Sequence, residues 1–205
     1  MRGRVFSAIG FVVIGAVLAL LLTGIGSAPG ADPAPAAAPA AGPVDIGFAQ
    51  DMVVHHQQAV TMAQAVIGRA SPSVSRLAVS IELNQLKQIG QLQGWLDLWN
   101  APQVPSGPPM TWMAGHKGGH AGPAVMPGTA AQKDIDRLGE LHGRALDAWF
   151  LKLMIRHHQG GLLMTAAAAQ HATIPQVRRL ATVMGVAQGD ETAVMSGLLG
   201  ARKAG

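Results

Sequence analysis

Two histidine pairs, His55-His56 and His157-His158, lie 102 residues apart, and each sits in the same pattern, Phe-x3-Met-x2-His-His-Gln-x4-Met. Between Asp45 to Met62 and Asp147 to Met164, seven of eighteen aligned positions are identical, against about one expected from average residue usage. On a helix turning ~100° per residue, Met52, His55, His56 and Met62 fall within a sector about 120° wide, as do Met154, His157, His158 and Met164. Each copy can therefore aim two imidazoles and two thioethers the same way. That donor set suits copper, Cu(I) above all and Cu(II) as the alternative, whereas hard ions ask for clustered carboxylates. Methionine at helical spacing also fills cores, and a single buried histidine is often a satisfied core residue. A doubled vicinal pair is harder to explain that way, because buried adjacent imidazoles cost free energy unless each ring nitrogen has a partner.

Further soft donors lie outside the repeat. A Gly-rich span of 17 residues holds Met110, Met113, His116, His120 and Met126 and could wrap an ion. On the last predicted helix, Met184, Glu191 and Met195 share a face with Gln188, and their counterparts are Ile81, Gln88, Leu92 and Gln85. The second half thus has the richer ligand set and is expected to bind more tightly. Gln57 and Gln159, each beside a histidine pair, could hydrogen-bond a ring nitrogen and fix its tautomer. Asp45 and Asp147, seven residues before Met52 and Met154, supply either charge at a helix N-terminus or a group that orients metal or histidine.

The elements that must position these groups are helices. Pro43 and Asp45 suit the first turn of a helix reaching about Arg69, and Ser71-Pro72 breaks it before a second helix from Ser73 to Trp99. After the proline-rich stretch that follows, Thr129 reads as the N-cap of a short helix, and Gly139 and Gly143 as a kink before a long helix from about Arg144 to His171. Thr173 and Pro175 then open a last helix ending near Gly200. The duplication continues there at an offset of 103, matching Val74, Arg76, Leu77, Ala78 and Gln85 to Val177, Arg179, Leu180, Ala181 and Gln188. The repeat unit is a helical hairpin (44–100 and 129–200, joined by 101–128), and two such hairpins pack most simply as an all-α four-helix bundle with a pseudo-twofold axis.

Ahead of this domain (44–205), Arg2 and Arg4 precede an apolar run from Val5 to Ile25, long enough to cross a bilayer. Residues 1–26 are expected to act as a transmembrane signal anchor, with a cleaved signal peptide as the alternative; Pro29 makes Gly26-Ser27-Ala28 a poor cleavage junction. The Ala/Pro/Gly-rich linker 27–43 would separate the membrane from a domain outside the cytoplasm. Cysteine is absent, which removes disulfides and thiolate sites. The net charge of +4 is spread without basic runs, which argues against nucleic acid.

The motif and its second copy, Asp147-x2-Phe150-Leu151-x2-Met154-Ile155-x-His157-His158-Gln159-Gly160, resemble the family called domain of unknown function 305, over about Asp45 to Leu199 and including Met126-Pro127-Gly128. The resemblance implies a ferritin-like bundle and, as in some exported members, copper binding that supports copper tolerance. The chain departs from the family pattern at Thr129, at Gln88 and Leu92 where Glu and Met are common, and at Gly161-Leu162 where Gly-Ala is typical.

Enzymatic readings find little support. A di-iron centre needs Glu-x-x-His from two helices, but the glutamates are Glu82, Glu140 and Glu191 and none has histidine three residues later. No nucleophile-elbow sequence occurs. The expected function is extracytoplasmic copper sequestration, storage or transfer, not catalysis, with a copper-transfer protein as a possible partner. The rival is a membrane-tethered helical interaction or pH-sensing module with structural histidines, although such a switch has no use for the repeated thioethers. Metal binding through imidazole is expected to weaken as pH falls through roughly 6.5.

Overall fold

The computed structural model describes residues 40–113 and 125–201, and every regular element among them is helical. The helices are α1 (Pro43–Gln64), α2 (Pro72–Leu98), α3 (Gln132–Glu140), α4 (Gly143–His171) and α5 (Pro175–Ala201), with a 3-10 turn at Thr111–Met113. α1 pairs with α2 and α4 with α5 as two hairpins, and α1 lies along α4. The apolar run Val5 to Ile25, most of the linker, His116 and His120 lie outside the described residues. Among the described residues no helix is long and apolar enough to cross a membrane.

Several helix ends differ from expectation, each for a hydrogen-bonding reason. α1 stops at Gln64 instead of near Arg69. The chain turns through Gly68, which has φ 76°, a left-handed conformation that glycine adopts at little cost. Arg69 is freed to donate to the carbonyls of Ala65, Leu138, Gly139 and Leu141, so it serves the C-terminal end of α3. Thr129 does not cap α3, which starts at Gln132 with Ala131 as its N-cap. Its hydroxyl donates instead to the Met126 carbonyl (2.8 Å) and closes the Met126 to Thr129 turn.

The paired aspartates act as reciprocal ties between hairpins. Asp45 accepts from the amides of Gly42 (2.9 Å), Thr173 (3.1 Å) and Ile174 (2.9 Å), so a residue of α1 anchors the start of α5. Asp147, its counterpart on α4, accepts from the Ser71 amide (3.0 Å) at the start of α2. Carboxylates suit these places because helix N-termini present unpaired N–H groups and positive dipole ends. Of the two roles open to these aspartates, the structure gives them the helix-terminus one. Each lies ten residues before its histidine pair, about 15 Å along a helix, too far to orient an imidazole.

The interior has two apolar clusters. One gathers Phe48, Met52, Leu92, Leu96, Met164, Val177 and Met184. The other gathers Met62, Val66, Ile81, Leu138, Leu146, Phe150, Met154 and Met195. Phe48 and Phe150, equivalent in the repeat, are both fully buried, one in each cluster.

Replacing Asp45 with alanine is expected to lower stability by about 2 kcal/mol, since three amides lose a charged acceptor. Urea denaturation monitored by circular dichroism checks this, and an unchanged midpoint would show that the tie carries no energy.

Candidate metal centre

Between the two clusters lies a polar layer. On each long helix its residues fall between one of each cluster: Val53 and Ala59 on α1, Ile81 and Ile89 on α2, Met154 and Met164 on α4, Met184 and Met195 on α5. The helices contribute His55 and His56, Gln85 and Gln88, His157 and His158, and Gln188 and Glu191 respectively. The duplicated motif builds this layer because His-His follows Met at the same step on α1 and α4, so when those helices pack antiparallel the pairs meet at mid-length. The rings of His55 and His157 lie 3.8 Å apart, centroid to centroid, tilted by 32°. The two motifs therefore share one location.

All four histidines are essentially buried, with at most 1% of their surface exposed. Three use Nε2 for a hydrogen bond: His55 donates to the Pro127 carbonyl (3.1 Å), His56 pairs with the side-chain amide of Gln88 (2.6 Å), and His158 donates to Glu191 Oε2 (2.7 Å). Nδ1 of His55, His56 and His158 has no partner, and the His157 ring has only the His55 backbone within reach, which leaves at least one of its nitrogens unpaired. Burial lowers the pKa of His55 to about 4 and that of His56 to about 3, and pushes His157 well below the ordinary histidine value. These rings are neutral at physiological pH and keep lone pairs free, which is the form that binds a soft metal. Protonation of these rings near pH 6.5, expected from sequence, is corrected downward by desolvation.

Met52, Met164 and Met184 belong to the first cluster and Met62, Met154 and Met195 to the second, so thioethers flank the histidine layer on both sides. Met110, Met113 and Met126 are partly buried against the first cluster. Gln57 and Gln159 do not support the rings as expected, because both are exposed. The supporting groups come from the partner helix of each hairpin, as Gln88 and Glu191. Among the described residues no three side chains drawn from His, Cys, Asp and Glu form a ready metal cluster.

Two features escaped the sequence reading. Residues 126–130 form a strap across the junction of the hairpins. Gln58 of α1 exchanges two hydrogen bonds with the Ala130 backbone (2.7 and 3.1 Å), and a Cβ on Gly160 of α4 would stand 2.0 Å from the Pro127 carbonyl oxygen. Asp51, buried on α1, accepts from the Met110 amide (2.6 Å) and Trp112 Nε1 (2.8 Å), which docks the 3-10 turn against Phe48. Its counterpart in the repeat is Leu153, and that mismatch was the available signal.

The family model for Domain of unknown function (DUF305) matches residues 45–199. The chain belongs to this family. A candidate secreted DUF305 protein from Streptomyces coelicolor is 42% identical, with a TM-score of 0.71 over 78% of this chain and 94% of that one. A DUF305 fragment from Deinococcus radiodurans is 34% identical, with a TM-score of 0.66 over 79% of this chain and 99% of that one. CopM in its Cu(II)-bound form is 26% identical, with a TM-score of 0.60 over 76% of this chain and 95% of that one; Cu(I)-bound and silver-bound forms of CopM share the fold. No curated protein matches the chain.

The lowered histidine pKa values give stability a definite pH dependence. In the unfolded chain these rings take up protons near pH 6.5, whereas folded His55 and His56 resist until about 4 and about 3. Between those limits the unfolded state binds more protons, so stability is complete above 6.5 and falls as the medium is acidified. The expected loss at pH 5 is about 2 kcal/mol for each of His55 and His56, measured by urea denaturation at pH 7.5 and 5. A variant with all four histidines changed to leucine should lose most of this dependence; an equal slope in the variant would place its origin elsewhere. Gly160→Ala is expected to cost about 1–3 kcal/mol by forcing the strap away from α4, and a thermal midpoint equal to that of the parent would contradict the close approach.

Proposed function

We propose that this protein binds copper outside the cytoplasm, as Cu(I) in preference to Cu(II), through the imidazoles of His55, His56, His157 and His158 and the flanking thioethers of Met52, Met62, Met154 and Met164. The observation that carries this reading is at least four buried ring nitrogens without a partner: Nδ1 of His55, His56 and His158, and one nitrogen of His157, whose ring has only the His55 backbone beside it. A buried polar atom left unpaired costs about 1–3 kcal/mol. A bundle that collects several at one level, from two copies of one motif, retains them for a ligand that supplies what they lack. The chain offers no cysteine as a competing soft donor. Glu191 bonds His158, and Met184 and Met195 lie buried on the same helix to either side of it as further candidate donors of the second hairpin. CopM, at 26% identity, is known with bound Cu(II), and the fold shared with it supports the same cargo here.

The role that follows is sequestration, storage or transfer in support of copper tolerance. The rings are soft donors shielded from water, a setting that holds Cu(I) without presenting it to oxidants. The run Val5 to Ile25 would anchor the chain in the membrane, with the metal domain on its outer side. A copper-transfer protein would be the partner. None of this requires catalysis.

The test is competitive Cu(I) titration of the full chain beside the variant carrying leucine at 55, 56, 157 and 158, with folding of both verified by circular dichroism. Tight binding by the parent and its loss in the folded variant is the expected result. A folded parent that binds no copper would leave a helical interaction module as the better reading, and binding retained by the variant would move the site to the methionines alone.

A further inference from the structure

The two halves of the layer are equivalent in position but not in charge. Residues at an offset of 103 hold the second histidine of each pair, Gln88 for His56 and Glu191 for His158. The groups facing the layer are two histidines from α1, Gln85 and Gln88 from α2, two histidines from α4, Gln188 and Glu191 from α5, and the Pro127 carbonyl. Among these, Glu191 alone carries a formal negative charge at neutral pH. Its other oxygen, Oε1, accepts from Asn84 Nδ2 of α2 (3.1 Å), which ties the carboxylate across the hairpins and aims Oε2 at His158.

We propose that Glu191 is a positioning residue: it fixes His158 with the proton on Nε2, so that Nδ1 is the atom through which this ring binds a metal, and its charge draws the cation toward the second hairpin. A carboxylate can only accept, so the hydrogen of the 2.7 Å contact belongs to His158 Nε2. A neutral imidazole carries one such hydrogen, which leaves the lone pair on Nδ1. That atom is buried and unpartnered, and a second proton there would meet no acceptor. Gln88 imposes no such choice, because an amide can accept through oxygen or donate through nitrogen. His56 is therefore free to take either tautomer, whereas His158 is committed. A carboxylate behind a ligating histidine also raises its basicity, as outer groups of metal sites do.

The inference about metal rests on the copper reading above, whereas the tautomer stands without it. Long-range 1H–15N correlation spectra of the metal-free full chain are expected to show His158 in the Nε2–H form in the parent and in a mixture of forms in Glu191→Ala. Cu(I) competition should then give an affinity about 10–100-fold lower in Glu191→Ala. Glu191→Gln, which keeps shape and an acceptor, should also bind more weakly because it lacks the charge, and Gln88→Glu should bind more tightly. His158 with its proton on Nδ1 in the parent would overturn the assignment. So would Glu191 variants that match the parent in tautomer and in affinity. A parent that binds no copper refutes the proposed function, and the tautomer spectra then report on Glu191 alone.

Discussion

Four imidazoles packed at the mid-level of an apolar bundle, two of them with ring centroids 3.8 Å apart, impose the constraint that the rest of the structure answers. Desolvation opposes the imidazolium form of His55, His56 and His157, and buried rings cannot stay unpaired without cost. Three rings are satisfied at Nε2 by partners from three different sources, a strap carbonyl, an amide and a carboxylate. The apolar clusters on either side exclude water from the level between them. The hairpins are tied by Asp45 and Asp147 at the far ends of α1 and α4, which fixes how those helices slide past one another. The register of the histidine pairs depends on that fixed position.

The duplication explains the fold, and departures from it explain the individual character of the site. Where α1 has Gln58 and Ala59, α4 has Gly160 and Gly161. Those glycines let two groups approach closely, the Pro127 carbonyl at Gly160 and the Gln188 side chain at Gly161. Where α4 has Leu153, α1 has Asp51, which holds Met110 and Trp112 against the bundle. Gly160 and Asp51 therefore serve the segment between the hairpins, which has no copy in the repeat, and Gly161 serves α5. Two asymmetries touch the histidines directly, the Gln88 and Glu191 pair and the Pro127 carbonyl that bonds His55.

Much of this was legible in the residues. The repeated motif placed the histidines and methionines on two equivalent helices, and Pro43, Pro72 and Pro175 each stand at the first position of a helix, as their fixed φ allows. The offset-103 matches also marked α2 and α5 as equivalents. What sequence could not show was which neighbours complete the rings. Gln57 and Gln159 are adjacent in sequence, but a residue next to an inward-facing histidine on a helix points about 100° away, and both end in solvent. Gln88 and Glu191 reach the rings from another helix, a relation that spacing within one helix does not encode. Thr129 was misplaced for a related reason, since its hydroxyl found a local turn carbonyl before any helix amide. Membrane attachment rests on Val5 to Ile25, which lie outside the described residues.

The central claim is that buried, neutral imidazoles together with methionine sulfur hold Cu(I). X-ray absorption at the copper edge of the Cu(I)-loaded full chain tests it most directly, because imidazole rings give a multiple-scattering pattern distinct from sulfur and from oxygen. The account predicts a copper ion of low coordination number bound by imidazole nitrogen with thioether sulfur alongside. A spectrum with sulfur and no imidazole, or one dominated by oxygen, would contradict it.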